Sequence, residues 1–403
     1  MAESFSHTVD TAVQNRQIAG GAALAVSKTG QTLISKAFGY TSVDDTARPF
    51  AMDTVFWIAS STKFIASIAA LQCVERGLFG EKGADVVIGD VLDGWDEVDI
   101  LERFDGDIPV TRRAKEKITL RRLLTHSSGM VYSGMHPKVA RWRDVVKGGK
   151  GDPGDVETLR NPVVFEPGSS WAYGVGIDWA GQMVEKVSGL TLGEYMRRNV
   201  FEVLGMGSTT FRPKGDEGLM ARMAGQVQRN EKGELIPESS GMYPVRDYKN
   251  DLGGGGLYSC AEDYIKVLKS LLVNDGKLLK SDGEMYQELF RGQLEHPEAL
   301  THLVQNTPFG ALVAPGYPRT AETQWNYALG GAVVEKEIPG HAAKGTLYWS
   351  GLPNNYWFID RENGVCGFYA SWLMPPGDAI TGKMFAALQQ AAVKEAGKEA
   401  AKL

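Results

Sequence analysis

The chain has 403 residues, 43% apolar and 23% charged, with 48 glycines, 17 prolines and a formal net charge of -6. These are globular values with room for two compact units, or for one large unit carrying an insertion, and they exclude fibrous and disordered chains. The acidic balance gives no global attraction to nucleic acid or to an anionic membrane. Cys73, Cys260 and Cys366 lie far apart with no C-x-x-C pair, so free thiols are expected, with no disulfide framework, no structural metal and no cofactor.

The opening MAESFSHTVDTAVQ reads as a short helix and has neither the basic nor the apolar region of a secretory signal. No stretch approaches the roughly 18 apolar residues of a membrane span. A soluble intracellular protein is expected, cytoplasmic, or peroxisomal if the closing Ala401-Lys402-Leu403, a variant of S-K-L, is read as an address. Next come two apolar runs in GGAALAVSKTGQTLISKAFGY, broken at Thr29-Gly30, which predict a hairpin. From Ser60 the period changes: Ile65, Ile68, Leu71 and Val74 recur at helical spacing until Gly77. Ser60 therefore stands at a helix entrance.

Residues from about 80 to 210 read as mainly helical, and AEDYIKVLKSLLVND as one more helix after Gly253 to Gly256. NYALGGAVVEKE, GTLYWSG, NYWFID and VCGFYASWL read as strands, and TGKMFAALQQAAVKEAGKEAAKL as a closing helix. Strands from both ends of the chain, with helices between, predict an α/β sheet unit of residues 1–63 and 211–403 and a mainly helical unit of 64–210, with a cleft between them. No internal repeat is present.

No Walker A loop, H-E-x-x-H, G-x-G-x-x-G helix entrance or G-x-S-x-G elbow occurs, so four common enzyme chemistries lack support. What remains is Ser60-Ser61-Thr62-Lys63, the one S-x-x-K of the chain. Residues three apart share a helix face, which brings Lys63 to the Ser60 hydroxyl. A serine is a poor nucleophile until a base takes its proton, and lysine serves as that base when burial disfavours its charge.

WIASSTKF, LLTHSSGM, GSSWAYGVGIDWAGQMVEKVSG and GGGGLYSCAED follow one another in an order that resembles the serine beta-lactamase-like hydrolases. Within them the chain is similar to family VIII carboxylesterases, and more so to the fungal acyltransferases of lovastatin biosynthesis, from about Arg16 to about Gly367. The resemblance implies a beta-lactamase/transpeptidase-like fold: an antiparallel sheet flanked by terminal helices, with an inserted helical region. It implies Ser60 as nucleophile, Lys63 as its proton partner and Tyr173 as the phenol that completes the triad as general base, because a lysine beside a phenol can share one proton. It also implies an oxyanion hole from the backbone N–H groups of Ser60 and Leu352. Gly174-Val175 replace the x-Asn that follows this tyrosine in penicillin-binding members. Trp349-Ser350-Gly351 stand where K-T-G would, which removes the cation that would hold a penicillin carboxylate. Ester chemistry is favoured over antibiotic hydrolysis.

Trp349, Ser350, Gly351, Trp57, Trp171, Trp325 and His126 are the expected substrate-side residues, the tryptophans as walls of an apolar pocket and His126 as a brace beneath the site. A Ser-His-Asp triad on His126 or His341 lacks an assigned serine, and Asp178 is expected to begin a helix and not to act in catalysis. Residues 111–150 hold eleven Lys and Arg against Glu116 and Asp144. They form either a solvated face or a dock for an acidic acyl carrier protein or coenzyme A. The expected activity is transfer of an acyl group through a Ser60 acyl-enzyme, from a small-molecule thioester or ester to an alcohol of a natural product. The alternatives are a carboxylesterase and, from another class, an inactive binding module on the same fold.

Overall fold

The computed structural model describes residues 2–149, 154–238 and 245–401. Among them a seven-stranded antiparallel sheet runs in the order Thr32–Gly39, Gly20–Ser27, Val365–Ala370, Asn355–Asp360, Leu347–Gly351, Ala332–Val334, Trp325–Tyr327. The first and last parts of the chain meet through the pairing of Gly20–Ser27 with Val365–Ala370, from Ala22 opposite Ala370 to Ser27 opposite Val365. The expected hairpin forms, with Gly30 at φ 85° supplying a turn conformation that side chains with a Cβ rarely adopt.

Period-two alternation gives the sheet two buried faces. On the face toward the middle of the chain, Trp357 stacks on Phe64 at 4.2 Å and Phe368 on Tyr264 at 4.4 Å. On the other, Tyr356 and Phe358 pack on Phe385 of the closing helix Ala379–Ala400, which also packs beside the N-terminal helix Ala2–Gln14. Both faces are therefore apolar, and the central strands read as continuous buried runs.

The helix Thr62–Glu75 is buried along nearly all its length, between the sheet and the helix Gly176–Ser188. Its apolar residues surround it instead of forming a stripe, as expected of a central helix. The region from 64 to 210 is less helical than its sequence suggests. Asp99–Asp105 and Ile108–Arg113 form a hairpin, and DILERFDGDIPVTRR is so charged that its strand character was hidden. The hairpin is largely exposed, so burial imposed no apolar alternation on it.

Candidate active site

Ser60 lies in a single 3-10 turn, Ala59–Ser61, that leads directly into Thr62–Glu75. Ala59 holds φ at 46°, a strained value for a residue with a Cβ, immediately before the candidate nucleophile. The turn is fastened on three sides. Ser61 Oγ donates to Asn355 Oδ1 (2.6 Å), Tyr264 Oη donates to the Ser61 carbonyl (2.9 Å), and Leu257 N–H donates to Thr62 Oγ1 (3.1 Å). Gly351 lets the neighbouring strand come close, since a Cβ there would lie 2.3 Å from the Ile58 carbonyl oxygen.

Lys63 is fully buried one helical turn on, and its Nζ donates to Ser60 Oγ at 3.3 Å. It also donates to Tyr132 Oη at 2.9 Å and to the Gly254 carbonyl at 2.5 Å. Tyr173 meets Lys63 through its ring, with Nζ 4.7 Å from the centroid, and its buried hydroxyl has no hydrogen-bond partner. The S-x-x-K pair thus converges as expected, while the phenol hydrogen-bonded to the lysine is Tyr132, which the sequence reading did not single out. Its signal was its place two residues beyond LLTHSSGM, a loop whose backbone is bonded to the segment carrying Tyr173 through Ala172 N–H to the His126 carbonyl (3.1 Å).

Asp178 does sit in the first turn of Gly176–Ser188, but its buried carboxylate reaches across the site and does not cap that helix. Oδ1 accepts from Gly254 N–H at 2.8 Å, and Oδ2 faces Tyr132 Oη at 3.5 Å. Burial raises Asp178 above the ordinary aspartate range, opposed by Lys63, Gly254 and Tyr132. Burial, and then the Asp178 charge, push the Tyr132 phenol well above the usual tyrosine range, which keeps it protonated.

His126 is a brace. Its Nδ1 accepts from Gly174 N–H at 3.3 Å, and its ring packs 4.7 Å from Tyr173 and 5.2 Å from Tyr327. Burial, and then the nearby Lys63 charge, hold its pKa well below the ordinary histidine value.

A cavity of about 450 Å³ opens on Ser60, walled largely by Trp57, Tyr132, Met135, Leu159, Tyr173, Val175, Tyr248, Leu252 and Leu352. The tryptophan expectation needs correction. Trp57 lines the cavity and donates to the Gly255 carbonyl at 2.5 Å, whereas Trp171, Trp325 and Trp349 are buried outside its lining. Trp349 shares the inner sheet face with its cross-strand partner Trp357, so it packs behind Tyr173 at 5.4 Å and against Tyr327 at 5.1 Å. Ser350 points the other way and donates to the Leu312 carbonyl at 2.8 Å. His126 likewise lies behind the cavity wall.

Five arginines of the basic segment are paired with acids in three dimensions. Arg112 pairs with Glu102 and Glu166, Arg113 with Glu97 and Asp99, Arg121 with Asp85 and Glu288, Arg122 with Glu116, and Arg141 with Asp107. Most of these acids lie just before or well after the segment, so a window of sequence could not see them. Lys150 falls outside the described residues, as do Lys402 and Leu403 of the tail. Among the described residues no helix is long and apolar enough to cross a membrane.

A serine thus lies against a buried lysine at the mouth of a largely apolar cavity, in a molecule built on an antiparallel sheet. The chain belongs to the beta-lactamase family, whose model matches residues 5–391. It is 34% identical over 396 residues to a lovastatin esterase of Penicillium rubens, covering 95% of each chain. It is 32% identical over 378 residues to a monacolin J acid methylbutanoyltransferase of Aspergillus terreus, covering 92% of this chain and 90% of that one. The unliganded simvastatin synthase of Aspergillus terreus superposes with a TM-score of 0.89 at 30% identity, covering 98% of both chains.

Proposed function

We propose that the protein forms an acyl-enzyme on Ser60 and passes the acyl group to an alcohol of a natural product. The observation that carries this reading is the Ser60 hydroxyl 3.3 Å from the buried Lys63 ammonium nitrogen, beside a cavity of about 450 Å³ with mostly apolar walls. Ser60 attacks the carbonyl of a thioester or ester, Lys63, with the Tyr173 ring against its amine, takes the proton it releases, and the tetrahedral oxygen takes the N–H groups of Ser60 and Leu352. The site then lies in a cleft between the sheet unit of 1–63 and 211–403 and the unit of 64–210. An apolar, shaped cavity favours a bound alcohol over water, which competes at about 55 M and loses only to an acceptor with a large effective molarity.

Hydrolysis is the second reading, favoured by the 34% identity to a lovastatin esterase. Intact-protein mass spectrometry after incubation with a short branched acyl thioester should show one added acyl group in the wild type and none in Ser60→Ala. Product chromatography with a panel of polyketide alcohols then separates the two fates. Acylated alcohol supports transfer, and free acid alone across the panel gives the esterase. A Ser60→Ala protein that still acquires the acyl group would overturn both.

A further inference from the structure

An ammonium has three N–H donors, and those of Lys63 are matched by Ser60, Tyr132 and Gly254. In that charge state it donates to Ser60 Oγ and has no lone pair to receive the serine proton. To serve as the base, Lys63 must first give up a proton. We propose that Asp178, reached through the Tyr132 hydroxyl, is where that proton goes, so that Tyr132 and Asp178 are positioning residues that set the charge state of Lys63. This rests on the acyl-enzyme reading above.

The path is continuous. Lys63 Nζ lies 2.9 Å from Tyr132 Oη, and Oη lies 3.5 Å from Asp178 Oδ2. Gly254 clamps both ends, its N–H on Asp178 and its carbonyl on Lys63, and a Cβ there would fall 2.2 Å from Asp178 Oδ2. The titratable groups around the path are His126 and Tyr132 on the 125–132 loop, Tyr173 before the Gly176–Ser188 helix, Tyr327 on the sheet edge and Lys63 itself. Asp178 is the acid among them. Burial penalises the Asp178 carboxylate, which favours its taking up a proton.

The transfer balances. Tyr132 gives its hydroxyl proton to Asp178 Oδ2 as it takes one from Lys63, so the ammonium becomes an amine, the carboxylate becomes an acid, and the net charge is unchanged. Ser60 Oγ then bonds to the substrate carbonyl carbon, its proton goes to Lys63, and the carbonyl π pair moves to oxygen. When the C–S or C–O bond breaks, the leaving group takes the proton from Lys63.

Asp178→Asn keeps the shape and an acceptor for Gly254 N–H but cannot take the proton. Hydrolysis of p-nitrophenyl butyrate reports acylation whatever the natural acceptor is. Near neutral pH the variant should lose about 10- to 100-fold in kcat with KM within about twofold, and its acid limb should move to higher pH, where bulk base creates the vacancy. Tyr132→Phe should move the limb the same way, and the double variant should be no worse than the poorer single one. An unshifted limb in both, or losses that multiply, would overturn the proposal. If circular dichroism shows Asp178→Asn unfolded, Tyr132→Phe alone decides by the same limb. A wild type that forms no Ser60 adduct with this ester sinks the acyl-enzyme reading, whereas an adduct with unshifted limbs sinks only the relay.

Discussion

Each side chain at the site is defined by what its neighbours leave it to do. His126 shows this: its Nδ1 is occupied by Gly174 N–H, its Nε2 is buried without a partner, and Lys63 lies close by. A protonated imidazole is therefore disfavoured in the folded state, and its folded pKa lies below its unfolded one. Such a group contributes stability that is present above the unfolded value of about 6.5 and is lost as pH falls toward the folded value. The loss should reach about 1.4 kcal/mol per pH unit for the single proton. His126→Asn suits the observed φ of 57° and offers an amide oxygen to Gly174. Urea melts at about pH 7 and pH 5 should show the wild type losing more stability between them than the variant. Equal losses would show that His126 charges freely in the fold.

The strand Leu347–Gly351 decides at the level of elements which aromatic side chains touch substrate. Alternation sends Trp349 into the packed layer behind Tyr173, while Trp57, on a short strand before the Ser60 turn, stands at the cavity wall. The two tryptophans should separate in experiment. Trp349→Ala should cost about 3–5 kcal/mol in chemical denaturation, the range for emptying a large aromatic site in a core. Trp57→Ala, half-buried, should leave the melting transition within a few degrees and raise KM for bulky acyl groups or alcohols. A Trp349→Ala protein of near-native stability with a raised KM would return that residue to the pocket.

Over the whole molecule, Arg112, Arg113 and Arg121 of the basic segment 111–150 are answered by acids from elsewhere: Asp85, Glu97, Asp99, Glu102, Glu166 and Glu288. A paired arginine presents little field beyond a Debye length, about 10 Å at 0.1 M salt. Transfer from a coenzyme A thioester should therefore change less than about twofold between 50 and 300 mM salt, as measured by initial rates. A tenfold fall would show electrostatic steering and restore the docking surface.

What the sequence determined by itself was whatever depends on near neighbours. The spacing of Ser60 and Lys63 on one helical face, the hairpin around Gly30, the apolar runs of the central strands and the closing helix all follow from periods of 3.6 and 2. The family could be named from the order of its motifs, and with it the antiparallel sheet. Only the tertiary structure decided which groups surround Lys63, because Tyr132 is 69 residues away and Gly254 is 191. It likewise turned Asp178 from a residue at the start of a helix into a buried acid beside Lys63 and Tyr132, moved three tryptophans behind the cavity wall and paired five arginines of 111–150 with acids. The physical reason is the same in each case. A side chain's period tells which face of its element it occupies, but its charge state and its partner are set by atoms on other elements, and those meet only when the chain closes on itself.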